Sequence, residues 1–406
     1  MQPVKSIELS NKHITLRLIA TVAFLLIAAV AFTYGISSLF HVEEGWTEIE
    51  ASTTAGISCS SEFTLYYNLG ASGTSARTEK RSLVSIYSEA AAKAYRLFTP
   101  YEGFEDVSNI YYINRHPNEV IEIDSVLYAA FEQLDSRGDR SLYLGPAYAI
   151  YDNIFFCTED YQLADFDPLL NEPLRELFSQ IAFFARDEAS IRLELLGDDR
   201  IRLYVSPEYL AFAESEELTT FIDFYWMKNA FIADYLAERL TAAGLTYGTI
   251  SSYDGYFRNL DENGETEYGL NIYGRDGGTV DHAADMQYTG SISIVYLRDF
   301  MLSSLDSQHY YRLADGEIRT PYLSVADGLP YAAAPGLTAY SRSAGCAQTL
   351  LELIPIYIAD KLNTDALLNL RGLGIDSIFV VGGIVYCTDP ALALLVADAY
   401  GKTVLR

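Results

Sequence analysis

Thr320-Pro321-Tyr322-Leu323-Ser324-Val325-Ala326-Asp327-Gly328-Leu329-Pro330, followed by Ser343-Ala344-Gly345-Cys346-Ala347-Gln348-Thr349, decides how the rest of this chain is read. Asp327-Gly328 is a turn pair. Gly345 and Thr349 stand four apart, one helical turn, so both positions face the same way. Just upstream, Ser303-Ser304-Leu305-Asp306 reads as a loop, and Ile292 to Leu297 alternates as a strand that ends before it. His309-Tyr310-Tyr311-Arg312 reads as a further strand, running into the Asp315-Gly316 turn. Beyond Thr349 a helix to Leu362 leads to Ile375–Val381, the pattern of a buried strand, stopped by Gly382-Gly383.

Outward from this stretch the chain alternates strand and helix signals. Glu62 to Tyr67 alternates like a strand, and Ser82 to Phe98 carries an apolar stripe of Leu83, Ile86, Ala90, Ala94 and Leu97. A short strand, Glu119 to Ile123, precedes a helix from Ser125 to Leu134. Ile191 to Leu195 and Arg200 to Val205 flank Gly197-Asp198-Asp199 as a hairpin. Phe221 to Leu240 reads as a helix stopped by Gly244, and a strand from Thr249 runs into Tyr253-Asp254-Gly255. Such alternation with many antiparallel signals predicts an α+β fold. No internal repeat or long linker divides it.

The order and spacing of these segments resemble the ApbE-type flavin transferases (FAD:protein FMN transferases). That family's signature runs Thr-Ser-Gly, a hairpin Gly, His-x-x-Asp-Pro-x-Thr-Gly-x-Pro and Ala-Asp-x-x-x-Thr. Laid on Gly328 and Pro330, its His falls on Pro321 and its Asp on Ser324; its metal-binding Asp falls on Gly345, while its Thr survives as Thr349. Ser108 to Asn114 resembles the family's Ser-x-Ile-x-x-Leu-Asn element. Its Gly-x-Phe-Asp segment, which lines the flavin pocket, corresponds to Gly145-Pro146-Ala147-Tyr148. Its Gly-x-x-x-Lys-Gly-x-x-x-Asp motif becomes Lys228, Asn229 and, one residue late, Asp234. Its Gly-Gly-Asp becomes Tyr253-Asp254-Gly255. The similarity covers roughly residues 60–390.

The resemblance implies FAD as substrate and magnesium as cofactor. It places flavin contacts at Gly145, Lys228, Asp254, Gly255, Ser303, Ser304, Asp327 and Gly328, with Thr349 as a residual metal ligand. Moving FMN from FAD to a protein hydroxyl needs a cation on the pyrophosphate, a base, and pre-positioned donors. Magnesium wants near-octahedral oxygens, and Gly345 offers none. Asp306, Asp327 and His309 are the nearby groups to weigh as substitutes, and Asp281-His282 with Asp285 forms a second acid/His cluster. No catalytic residue is assigned. If a ligand binds, it sits between Gly145, the Tyr253–Gly255 turn and the Ser303–Thr349 stretch; the opposing expectation is that Tyr148, Tyr256 or Tyr322 fills that space.

The formal charge of −27 argues against nucleic acid as a partner. Leu18 to Phe40 holds no charged residue; Lys5, Lys12 and Arg17 precede it, and Glu43, Glu44, Glu48 and Glu50 follow. The expectation is a cytoplasmic 1–17, a membrane-spanning helix over 18–40, a stalk over 41–60 and an extracytoplasmic domain over 61–406. A cleaved signal peptide ending at Ala29-Val30-Ala31 is the alternative. Cys59, Cys157, Cys346 and Cys387 form no Cys-x-x-Cys pair, and buried free thiols are expected. Three readings stay open: a degenerate homologue that holds a flavin or acts as a scaffold, an active FMN transferase serving an extracytoplasmic membrane or redox protein with a relocated magnesium site, and an acidic surface protein with no pocket.

Overall fold

The computed structural model describes residues 14–39, 42–303, 306 and 308–406. In chain order the first half contains α1 (Ile14–Leu39), β1 (Gly45–Glu48), β2 (Phe63–Leu69), α2 (Ala76–Phe98), α3 (Ile110–Arg115), β3 (Val120–Glu122), α4 (Ser125–Arg137) and α5 (Gly145–Tyr151). Then come α6 (Glu172–Arg186), β4 (Ile191–Gly197), β5 (Arg200–Val205), α7 (Pro207–Ser215), α8 (Lys228–Ala242), β6 (Gly248–Ser252), β7 (Tyr256–Asn259), β8 (Glu267–Asp276), β9 (Thr279–Thr289) and β10 (Ile292–Arg298). The remainder is β11 (Tyr311–Arg312), β12 (Ile318–Arg319), β13 (Gly336–Ser341), α9 (Cys346–Tyr357), α10 (Thr364–Leu370), β14 (Ile375–Val381), β15 (Ile384–Cys387), β16 (Ala393–Val396) and β17 (Gly401–Val404).

Nine strands form the central sheet in the order β1-β2-β6-β7-β10-β13-β14-β15-β17, antiparallel except for β15 against β17. Its middle strands read as continuous apolar runs because both faces are covered. In β10, Val295 and Leu297 point into the core shared with α2, α8 and α9, while Ile292 and Ile294 meet the three-stranded β16-β9-β8 sheet. β14 divides in the same way, with Ile375 and Phe379 on one side and Ile378 and Val380 on the other. A third sheet, β3-β5-β4, carries the hairpin read from Gly197-Asp198-Asp199, where Asp198 and Asp199 take positive φ.

The mixed α+β architecture agrees with the sequence reading, with differences at particular elements. Residues 41–60 are not a separate stalk. Gly45–Glu48 pairs with Leu69–Tyr66 as the sheet's edge, and Ile49 is buried; a four-residue strand gives too short an alternation to stand out in the sequence. Phe221–Phe224 is not helical, and α8 begins only at Lys228. The helix after Thr349 stops at Tyr357, two residues after Pro355. The expected membrane span falls on α1, whose described side chains from Ile19 to Val30 are exposed. Among the described residues no helix is long and apolar enough to cross a membrane, so the anchor is not shown. All four cysteines are free, and Cys59, Cys346 and Cys387 are buried.

Candidate functional site

The segments that carried the family resemblance meet around the start of α8. Asn114, buried at the end of α3, clamps the backbone ahead of it: its Oδ1 accepts from Phe221 N at 2.8 Å and Ile222 N at 2.9 Å, and its Nδ2 donates to the Ile222 carbonyl at 2.9 Å. Gly145 packs on that same backbone; a Cβ there would lie 2.9 Å from the main-chain atoms of Ile222. Tyr225 follows with φ of +45°, an unfavourable conformation for an aromatic residue, held by a hydrogen bond from its N–H to Asp223 Oδ1 at 2.8 Å. Burial pushes the Asp223 carboxyl up to about 7, against the Tyr225 amide and the Lys228 charge, with Asp152 adding to the rise.

Trp226 is the hub of an aromatic pack. Its carbonyl accepts from Tyr256 Oη at 3.0 Å, and its ring meets Tyr322 edge-on with centroids 5.0 Å apart. Tyr322 meets Tyr357 edge-on at 5.3 Å and shares a 3.2 Å hydroxyl contact with Tyr310. Tyr148 stacks on Tyr225 at 4.7 Å. Trp226, Tyr148, Tyr256, Tyr310, Tyr322 and Tyr357 are all buried. The tyrosines weighed against a ligand therefore pack into this region. Trp226 and Tyr357 went unremarked in the sequence, and Tyr310 was read only as part of a strand, because an aromatic on a buried element gives no local sign of its neighbours.

The glycines do not open toward a ligand either. Gly255, at φ +105°, lies directly against β10, whose Tyr296 N–H donates to its carbonyl at 2.8 Å. A Cβ on Gly328, at φ +78°, would sit 2.8 Å from the Phe178 carbonyl oxygen. Both are close approaches of backbone to backbone, which only glycine permits.

The polar residues singled out from the sequence are engaged with one another. Lys228 Nζ donates to Glu62 Oε1 at 2.9 Å; Asn229 Nδ2 donates to Glu62 Oε2 at 2.9 Å and to Asp254 Oδ2 at 3.0 Å. Burial by itself would lower the Lys228 pKa, but the Glu62 carboxylate outweighs it and the pKa is raised. Burial raises Asp254, with His309 opposing. Asp306 accepts from Arg298 Nη2 at 3.0 Å and from the amides of Leu302 and Ser303 at 2.6 and 3.0 Å, and Arg298 also donates to the Tyr253 carbonyl at 3.0 Å. This buried ion pair joins the Tyr253–Gly255 turn to the Ser303 loop; Ser304 lies outside the described residues. Asp327 is occupied within its own turn, accepting from Leu329 N at 3.0 Å and Tyr331 Oη at 2.7 Å. His282 and Asp285 pair with each other at 2.8 Å on β9, through side chains that are partly exposed.

The magnesium position is tested by Gly345, at the N-terminus of α9. A Cβ there would fall 2.7 Å from Asp234 Cγ and 2.8 Å from its Oδ1. Asp234, from α8, accepts from Cys346 N at 2.8 Å and Ala347 N at 2.9 Å, and is ion-paired with Arg258 of β7. The Thr349 hydroxyl is buried and finds no partner among the described residues. One hydroxyl, a carboxylate already bonded to two amides, and an adjacent guanidinium do not fit a divalent cation that requires several oxygen ligands. Among the described residues no group of three or more His, Cys, Asp or Glu side chains is arranged to hold a metal ion.

Two clefts lie near these elements. One of about 1080 Å³ runs along α2 past Arg81, Ser85, Ser88 and Lys93; another of about 800 Å³ lies between α4, α8 and α9, beside Asp234, Arg258 and Gly345. Neither is lined by Trp226, Gly255, Tyr322 or Thr349.

No protein-family model and no curated protein matches the chain. Solved structures do. The ApbE protein from Thermotoga maritima superposes with a TM-score of 0.54 at 14% identity, over 84% of this chain and 95% of that one. The flavin transferase ApbE from Vibrio cholerae superposes with a TM-score of 0.53 at 9% identity, over 83% and 94%. Across nearly the whole length of those proteins, this chain has the ApbE fold.

Proposed function

We propose that this chain is a flavin-transferase homologue that no longer transfers FMN and acts as an extracytoplasmic scaffold on the ApbE fold. The observation that carries this reading is the aromatic pack on Trp226, which fills the meeting point of the flavin-binding segments with the chain's own rings. The engagement of Lys228, Asp254 and Asp327 with protein partners supports it, as does the poor fit of Gly345, Asp234 and Thr349 to magnesium. The described residues around Trp226 are the chain's own buried rings, which further supports the reading.

The competing reading, an active transferase with a relocated metal site, would draw on Asp234, whose carboxylate lies against Gly345. Arg258 already neutralises it. Incubation with FAD, magnesium and a threonine-bearing acceptor peptide, read by in-gel flavin fluorescence, decides between them. The expected result is an unlabelled peptide; magnesium-dependent labelling would restore the transferase.

Attachment to the outer face of the cell membrane through residues 18–40 is part of the proposal. Its support is the Lys/Arg bias before Leu18, the glutamates after Phe40, and the uncovered side chains of Ile19, Phe24, Leu25, Val30 and Phe32. Protease added to intact cells should remove a C-terminal tag, and a protected tag would reverse the orientation.

A further inference from the structure

We propose that residues 156–170 form a protein-docking surface whose partner is a polypeptide segment with apolar side chains flanked by Lys or Arg. The inference rests on the scaffold reading above, to which it gives a partner class, and its test is separate from FMN transfer.

Among the described residues beyond α1, Tyr161 and Phe156 are the two most exposed large hydrophobic side chains, at 78% and 72%. Leu170 and Leu169 follow in the same stretch at 50% and 37%. One such side chain on a surface is ordinary, but four in one short stretch mark an interaction site. They are not needed to hold the stretch to the core, since Ile154, Phe155 and Leu163 are buried and do so.

The backbone that displays them is fixed from both sides. In the β11–β12 hairpin, Tyr311 Oη and Ala314 N each donate to Asp160 at 2.9 Å, and Arg319 Nε donates to Asp167 at 2.6 Å in a pair almost free of solvent. From the other side, Asn171 Nδ2 donates to the Ala164 carbonyl at 2.8 Å, and Arg175 donates to the carbonyls of Pro168 and Leu169 at 3.0 and 3.1 Å. A partner therefore meets apolar groups on a backbone already ordered, which lowers the entropy cost of binding.

Charge selects the partner. Glu159, Asp165, Glu172 and Glu176 are exposed in and beside the stretch, and the one base among them, Arg175, is already paired with Glu172. Apolar groups rimmed by carboxylates complement a segment that is apolar and basic. The same carboxylates repel an anionic membrane surface, and they repel each other when two copies of the stretch are brought face to face.

The experiment pans short random peptides displayed on phage against the full chain, held by a C-terminal tag in uncharged detergent. Enriched peptides are then made synthetically and titrated against the native protein and its variants. They should carry net positive charge together with Leu, Phe or Trp. Phe156→Ser/Tyr161→Ser should bind them about tenfold more weakly or worse. Ile57→Ser, which removes a side chain of similar exposure (67%) outside the stretch, should bind as the native protein does. Asp165→Asn/Glu176→Gln should weaken binding and flatten its salt dependence, and serves if the double serine variant does not fold. No enrichment, enrichment of neutral or acidic peptides, or affinity unchanged in both double variants would overturn the inference. Self-association of the native protein that Phe156→Ser/Tyr161→Ser abolishes would also overturn it, by assigning the stretch to a second copy. Labelling of an acceptor peptide in the transfer assay would instead overturn the non-transferring reading and leave these outcomes as they stand.

Discussion

Gly345 and Asp234 cannot both present a carboxylate at the same point. Gly345→Asp would bring a second negative side chain against Asp234, whose Cγ lies 2.7 Å from the position of the added Cβ. Overpacking of this kind costs about 1–3 kcal/mol, with like-charge repulsion added. Urea denaturation should show that loss for Gly345→Asp, largely recovered when Asp234→Gly is combined with it. Neither variant should gain transferase activity, because Pro321, Ser324 and Asn229 also depart from the family pattern. A second residue-scale outcome concerns Asp223. Its folded-state pKa, about 7, lies above the ordinary value near ~4 for an unfolded aspartate. The folded state therefore holds the proton more tightly. The stabilising contribution is complete below about pH 4 and is lost as the pH rises through about 7. Asp223→Asn keeps an oxygen for the Tyr225 amide, so it should flatten the fall in stability between pH 5 and 8. An unchanged profile, measured by denaturation at both pH values, would assign the proton elsewhere.

Among the elements, the helices and central strands were legible because burial on one or both faces leaves a period in the sequence. The Leu83-Ala90-Ala94-Leu97 stripe became α2, and Ile375–Val381 became β14. The start of α8 was misread because Phe221, Ile222 and Phe224 are apolar at helical spacing, whereas Asn114, far away in sequence, pins that backbone in a non-helical path. The same limit applied to the candidate site. The sequence exposed the missing His and Asp of the family motif directly. It could not show that Asp234 reaches Gly345, that Arg298 reaches Asp306, or that Trp226 meets Tyr322, since those contacts exist only through the fold. The Arg298–Asp306 pair is nearly free of solvent, with side-chain exposures of 3% and 5%. Arg298→Met should destabilise by about 3–5 kcal/mol, because it leaves a buried carboxylate without its partner. A loss below about 1 kcal/mol in chemical denaturation would mean that the amides of Leu302 and Ser303 suffice for Asp306.

At the scale of the molecule, the ApbE-like fold brings together the segments that carry the sequence resemblance, and the buried rings around Trp226 lie at their meeting point. The closed site proposed above accounts for the retained glycines touching backbone and the retained Lys228 touching Glu62. On the proposed reading the fold does not depend on flavin. The most direct test is the visible absorption spectrum of residues 42–406 after incubation with FAD and magnesium and removal of free flavin. The expected spectrum carries no flavin band, with unfolding at the same temperature with or without FAD. A stoichiometric flavin band that survives gel filtration, accompanied by a rise in the unfolding midpoint, would contradict the closed site.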